Sequence, residues 1–298
     1  MENRKYVDVV MNRKSDKTTF FVIFSLILSA LPFVASAYQI DTHALLTDET
    51  ISFYNAHSDN DLPSDARAFL IDGTRREDDA PRWMNHFYDP IHERGLSYDP
   101  KINPEIPTGD WQKSKEWAED GDNQNKLTYK VPATIASILT AVERWKISEI
   151  TSKTDFTWRE AIRHYVNGDT EQAFFTLGHI LHLIQDTSVP DHTRNDPHPG
   201  DSPYENFAGK YNLSNVDKNL TDKLKTKSLI ELKKLDEYFN GLAKYSSNNF
   251  YSKDTIGIQT GFSIPEQEYV SESNNYFYGI KRDENTLRKI RGIRGGSN

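Results

Sequence analysis

The chain's 298 residues suffice for one domain or two with a substantial buried core. Its 36 Lys and Arg against 44 Asp and Glu give a formal net charge of −8, which excludes bulk electrostatic attraction to nucleic acid or anionic lipid. It has no cysteine, so it has neither a disulfide framework nor a zinc–thiolate site, and packing or bound metal must supply the stability.

Residues 1–37 read as a signal peptide. Arg4, Lys5, Arg13, Lys14 and Lys17 precede an apolar run over residues 20–34. Ala35, Ser36 and Ala37 then supply the small residues a signal peptidase accepts, so cleavage is expected before Tyr38. A membrane anchor is the competing reading. Against it, the run is short for a bilayer span, is broken by Pro32 and lacks a following positive stop. Cleavage removes five basic and three acidic residues, leaving a mature charge of about −10. The mature chain is expected to be secreted or periplasmic and to carry no transmembrane segment.

From there the chain reads as mostly helical. Residues 44–57 form a first expected helix and residues 62–70 a second, short one. Residues 72–121 are rich in Pro, Gly, Asp and Trp, and a loop of that length is anomalous unless functional. Val131, Ile135, Ile138, Val142 and Trp145 make an apolar stripe that predicts a helix over 131–145. Two more helices are expected over 157–166 and 169–185. Ser202, Pro203, Tyr204 and Glu205 read as an N-cap, a proline at the first helical position and a capping-box glutamate. Helix is expected again over 214–225 and 232–245. Beyond residue 248 the alternation of polar and aromatic residues leaves short strands, a partial second unit and a packed extension all open. The domain division is therefore 38–250 for the helical domain and 251–298 for a C-terminal extension.

The strongest chemical signal lies between His182 and Asn195. His182 and Asp186 are four apart and project from one face of a helix, and Pro190 favours a turn that brings His192 back toward them. Nitrogen and carboxylate ligands without thiol suit zinc and leave positions for water. The bland alternative is a helix end, a surface histidine and a carboxylate at the start of the next segment. Upstream, Asp78 and Asp79 lie eight and seven residues before His86, which is embedded among Trp83, Phe87 and Tyr88. Bulky neighbours would hold the ring rigidly, though an acidic surface loop has the same composition. His43 follows the expected new terminus by five residues, so the Tyr38 amine and carbonyl can chelate a cation beside it; otherwise His43 is an ordinary turn histidine. His198, Asp201 and Glu205 come last, with Glu205 either a ligand or only a cap. His179 shares the face of His182 and reads as a core or supporting residue.

These blocks resemble the bacterial zinc-dependent phospholipase C family, the α-toxin type among them, whose architecture is shared more widely with the fungal-type single-strand nucleases. The family's central signature is matched by His182, Asp186, Pro190, His192 and Asn195. His86, Phe87, Tyr88, Asp89 and Pro90 look like its second block, Tyr204 to Phe207 its last, and Thr42, His43 and Ala44 its first. The resemblance covers residues 38–210 and implies an all-α, multi-helix domain of the zinc-dependent phospholipase C and single-strand nuclease kind holding three zinc ions. By matching position, Asp78, His86, His182 and Asp186 would hold one zinc. The Tyr38 terminus, His43 and a bridging Asp186 would hold a second, and His192 and Glu205 a third with one more ligand.

Three departures stand out. Tyr38 replaces the family's tryptophan, the gap to His43 is short, as in the nucleases, and Asp201 stands where a histidine is expected. The third-site ligand is thus His198 or Asp201, with His198 favoured, and the upstream acid is Asp78 or Asp79. The resemblance implies phosphodiester hydrolysis, with Asp78 and Asp79 placed to orient water and Asp186 as the residue that serves two ions. Phospholipase C action on phospholipid at a membrane surface is the leading expectation, with no stable nucleic-acid partner. A single-strand nuclease and an inactive lipid- or surface-binding module are the alternatives.

Overall fold

The computed structural model describes residues 40–79, 82–102, 111–126, 128–130, 149–151, 154–197, 202–209, 230–255, 261–262, 270–273, 276–283 and 286–293. The leader with Tyr38, the helices expected over 131–145 and 214–225, and both His198 and Asp201 lie outside the described residues. By compactness the chain divides into residues 1–33 with 130–149, and residues 34–129 with 150–298. All the helices and the buried clusters below belong to the second unit.

That unit is helical, as an all-α reading requires. Helix α1 (Ile40–His57) begins ahead of the expected residue 44, which puts His43 on its first turn, fully buried. Helix α2 (Ala66–Arg76) runs well past the expected end at Leu70. The polar stretch after Leu70 stays helical because the inward positions are small: Ala66, Leu70, Gly73 and Thr74 are buried, while Asp72, Arg75 and Arg76 face water. Short helices α3 (Ser114–Trp117) and α4 (Gly121–Gln124) follow the loop region. Two three-residue strands, β1 (Thr128–Lys130) and β2 (Glu149–Thr151), pair as a small sheet.

Helices α5 (Trp158–Val166) and α6 (Thr170–Asp186) form a hairpin within one residue of the expected spans. Thr157 Oγ1 accepts the Glu160 N–H at 3.3 Å, and Asp169 Oδ1 accepts the Gln172 N–H at 3.4 Å. Between the helices Gly168 takes the left-handed conformation, φ +80°, that ends α5. Helix α6 then runs through the middle of the core. One side packs Ile180 and Leu183 with Trp117, Ala118 and Phe239; another packs Phe174 with Ile51, Ala66 and Leu70. Each of the large apolar side chains among these contributes about 1.5–3 kcal/mol when fully buried, so α6 is held from two sides along its length. Glycines set its approach to α2. A Cβ at Gly178 would run into the Leu70 carbonyl and one at Gly73 into that of Phe175. Without them the backbones meet, and the Thr74 hydroxyl reaches the Gly178 carbonyl at 3.1 Å.

After α6 the chain turns as Pro190 predicts, with that proline opening a short helix α7 (Pro190–Thr193). Helix α8 (Pro203–Ala208) likewise starts on a proline, and the Ser202 hydroxyl accepts the Glu205 N–H at 3.1 Å. Helix α9 (Leu235–Asn249) completes the helical body. The tail adds an antiparallel sheet in the order β3 (Val270–Ser273), β4 (Tyr276–Asp283), β5 (Thr286–Ile293), with Tyr278 opposite Ser271 on one side and Arg291 on the other. Among the described residues no helix is long and apolar enough to cross a membrane.

Candidate metal centre

The turn just after α2, the last turns of α6, the first turn of α1 and the segment after the 3₁₀ turn at Arg82–Asn85 deliver five side chains to one place. His43, His86, His182 and Asp186 are completely buried and Asp78 nearly so. Within this cluster, one ligand atom each from His43, His182 and Asp186 lie within 4.8 Å of one another, and so do those of Asp78, His86 and His182. The two oxygens of Asp186 face different partners. Its Oδ1 is 3.3 Å from His43 Nε2; its Oδ2 is 2.9 Å from His86 Nδ1 and 3.3 Å from His182 Nε2. Asp78 Oδ1 lies 3.6 Å from His182 Nε2 and 3.7 Å from His86 Nδ1.

These are short distances without hydrogen-bond alignment. Both ring nitrogens of His86, the Nε2 of His182 and both oxygens of Asp186 are buried and make no hydrogen bond. Buried polar atoms are almost always satisfied, and four of these orphans (His86 Nδ1, His182 Nε2 and the two Asp186 oxygens) converge where a cation would satisfy them, while His86 Nε2 faces Glu77. Imidazole nitrogen and carboxylate oxygen without thiolate are a donor set that fits zinc. Buried His and Asp groups here can therefore hold a metal ion.

The supporting contacts point the rings inward. His182 Nδ1 donates to the Thr74 carbonyl at 2.7 Å, and His43 Nδ1 lies 2.7 Å from Gln185 Oε1. Phe87 stacks on His192 at 4.2 Å between centroids, and His43 stacks on His182 at 3.8 Å. Beneath His86 sits Glu77, which the sequence reading passed over. Its carboxylate accepts from Arg82 Nε at 2.8 Å, Trp117 Nε1 at 2.9 Å and His179 Nδ1 at 2.5 Å, and lies 3.7 Å from His86 Nε2.

Charge follows geometry. Burial alone would raise the Asp186 carboxyl, but His182, His192 and His86 hold it well below the usual carboxylate range. Burial would also raise Glu77, but the Arg82 guanidinium together with His179 and His86 holds it well below the usual carboxylate range. Burial depresses the His86 ring, yet the Asp186, Glu77 and Asp78 carboxylates together outweigh it and push the ring up to about 10. His182 is raised in the same way against its burial. His179, buried and facing the Arg82 charge, falls to about 4 despite its bond to Glu77.

The remaining expected residues fall as follows. His192 is buried, with Nδ1 3.7 Å from Asp186 Oδ2 and 3.4 Å from the His86 carbonyl. Glu205 is buried at the start of α8. Neither belongs to the two converging groups. Asp79, the alternative to Asp78, is not brought to the cluster: its side chain is 66% exposed and 3.8 Å from Arg76. The reason is helical rotation: the inward face of α2 continues through Glu77 and Asp78, and the next residue turns outward. Asn195 of the central motif clasps Ser97, exchanging two 2.9 Å hydrogen bonds with its backbone. It holds the aromatic loop and not a cation. No protein-family model matches the chain, and no curated protein matches it.

Proposed function

We propose that the chain is a zinc-dependent phosphodiesterase, acting as a phospholipase C that splits a glycerophospholipid into diacylglycerol and a phosphorylated headgroup. The observation that carries this reading is the division of Asp186. One oxygen faces His43 and the other faces His86 and His182, the disposition of a carboxylate that bridges two cations. Two neighbouring cations suit a phosphate, whose oxygens can be neutralised from both sides. Divalent ions, when bound there, supply Lewis acidity toward the phosphoryl oxygens and lower the pKa of an attacking water.

The protein's own part is placement and exclusion. His43, His86 and His182 hold their nitrogens toward Asp186 from three separate segments. Asp78 Oδ1 lies 3.6 Å from His182 Nε2 and 3.7 Å from His86 Nδ1, where it could take a proton from water. The stacked pair of Phe87 and His192 keeps bulk water from one side, which strengthens the interaction of the cluster with charge. Completing the set with the Tyr38 terminus, His198 or Asp201, and a third zinc is part of the proposal, as are export from the cytoplasm and action at a lipid surface.

The five-residue spacing of Tyr38 and His43 favours a second reading, a single-strand nuclease with the same centre. Purified, processed protein decides between them. Release of phosphocholine from phosphatidylcholine vesicles, abolished by chelator and restored by zinc, is the expected result. Cleavage of single-stranded DNA or RNA without lipid hydrolysis would establish the nuclease. Full zinc occupancy with neither activity would leave a binding module.

A further inference from the structure

Gln185 sits inside the central motif, one residue before Asp186, yet neither the spacing argument nor the proposed chemistry uses it. Its amide is the middle of a chain of hydrogen bonds that begins at His43 and ends on backbone. His43 Nδ1 is 2.7 Å from Gln185 Oε1, and Gln185 Nε2 is 2.9 Å from Thr47 Oγ1. Thr47 Oγ1 is 3.1 Å from Thr74 Oγ1, which in turn is 2.7 Å from the Leu70 carbonyl and 3.1 Å from that of Gly178.

The end of the chain fixes the direction of every proton in it. A carbonyl only accepts, so the Thr74 hydroxyl must donate to it. Thr74 Oγ1 then accepts from Thr47, whose one proton is thereby committed. The Thr47 oxygen can only accept from Gln185, so the NH₂ of the amide faces Thr47 and its carbonyl oxygen faces His43. A carbonyl oxygen beside Nδ1 requires Nδ1–H, which in the neutral imidazole leaves the lone pair on Nε2, 3.3 Å from Asp186 Oδ1. Two negative lobes at that distance repel unless a positive charge lies between them.

We infer that Gln185 is a positioning residue: through Thr47 and Thr74 it presets His43 as the Nδ1–H tautomer with Nε2 directed at a cation shared with Asp186. Thr74 serves both flanking rings, its hydroxyl ending this chain and its carbonyl holding His182. The inference rests on the metal reading of the cluster but has one consequence that does not need metal, the tautomer itself.

The test uses the processed full chain. In the chelator-treated protein above neutral pH, long-range proton–nitrogen-15 correlation spectra should show His43 protonated at Nδ1; protonation at Nε2 overturns the proposal. Zinc and cobalt titrations then compare wild type with Gln185→Leu and Gln185→Glu. The leucine variant should bind one cation about 10–100-fold more weakly, with an altered cobalt absorption band, while keeping the other cation. The glutamate variant, which still accepts from Nδ1, should restore both. Unchanged affinity and spectrum in Gln185→Leu overturn the positioning role. If wild type shows the Nδ1–H tautomer yet binds neither metal, the metal reading falls while the preset ring stands.

Discussion

Changing Glu77 to glutamine isolates the floor of the site from its metal chemistry. Glu77 is fully buried and Arg82 almost so, and the carboxylate also receives protons from Trp117 and His179. The amide keeps the shape but removes the charge and turns one acceptor into a donor facing other donors. It leaves the buried guanidinium facing a neutral amide, with the Gln124 carbonyl oxygen and the faces of Trp117 and Phe156 among its neighbours. Removing one partner of a buried ion pair costs about 3–5 kcal/mol. At about 2–4 °C per kcal/mol for a domain of this size, Glu77→Gln should melt roughly 6–20 °C lower. Urea and calorimetric unfolding in chelator measure it without the metal's contribution. The pH dependence follows from the carboxyl being held well below its ordinary value of 4.5. Its stabilisation is full above that ordinary value and lost as pH falls through the lower folded one, so wild type and variant should converge in acid. Replacing Glu77 with leucine and Arg82 with methionine together should cost less than Glu77→Gln alone. A loss under about 1 kcal/mol, or one that persists unchanged in acid, refutes the argument.

Three other outcomes are expected. Asp186→Asn should release cations on both sides and lower hydrolysis by about a hundredfold or more, while Asp79→Asn, altering an exposed side chain, should leave zinc content and rate nearly unchanged. Zinc loading near pH 7.5 should expel protons, because the metal-free His86 ring titrates near 10 and is charged there; titrations in buffers of different ionisation enthalpy count them, and zero release contradicts the assignment. Gly178→Ala should destabilise by about 1–3 kcal/mol or more and weaken zinc binding, since its Cβ meets the Leu70 carbonyl and would move Thr74 away from His182.

The sequence displayed what repeats or caps. Helices α5 and α6 fall within one residue of the spans expected, and the pair of His182 and Asp186 was legible from its spacing of four. It hid what depends on where a helix stops. With α2 ended at Leu70, Glu77, Asp78 and Asp79 became an undifferentiated acidic run. Extending the same helical period from Ala66 and Leu70 through Thr74 would have pointed Glu77 and Asp78 inward and Asp79 outward. The signal was present, masked by the polar residues of the outer face. Gln185, Thr47 and Thr74 were hidden for another reason. Their role is a matter of proton direction across three helices, and it exists only once Gly73 and Gly178 have let α2 and α6 meet.

That close crossing also bears on whether the cluster is merely a packed core. A structural histidine cluster is content when each ring gives its proton to a neighbour inside the cluster. Here His182 spends its Nδ1 proton outward, on the Thr74 carbonyl, and the chain through Gln185 requires the same of His43. Both rings then turn lone pairs toward the two carboxylates. With both rings neutral the arrangement needs added positive charge, which a proton on His86 can furnish in part and bound divalent ions could furnish further. A fold selected for packing alone would gain by reversing those tautomers. This one holds that of His43 with three side chains, Gln185, Thr47 and Thr74, and two backbone carbonyls, where α2 and α6 meet at Gly73 and Gly178.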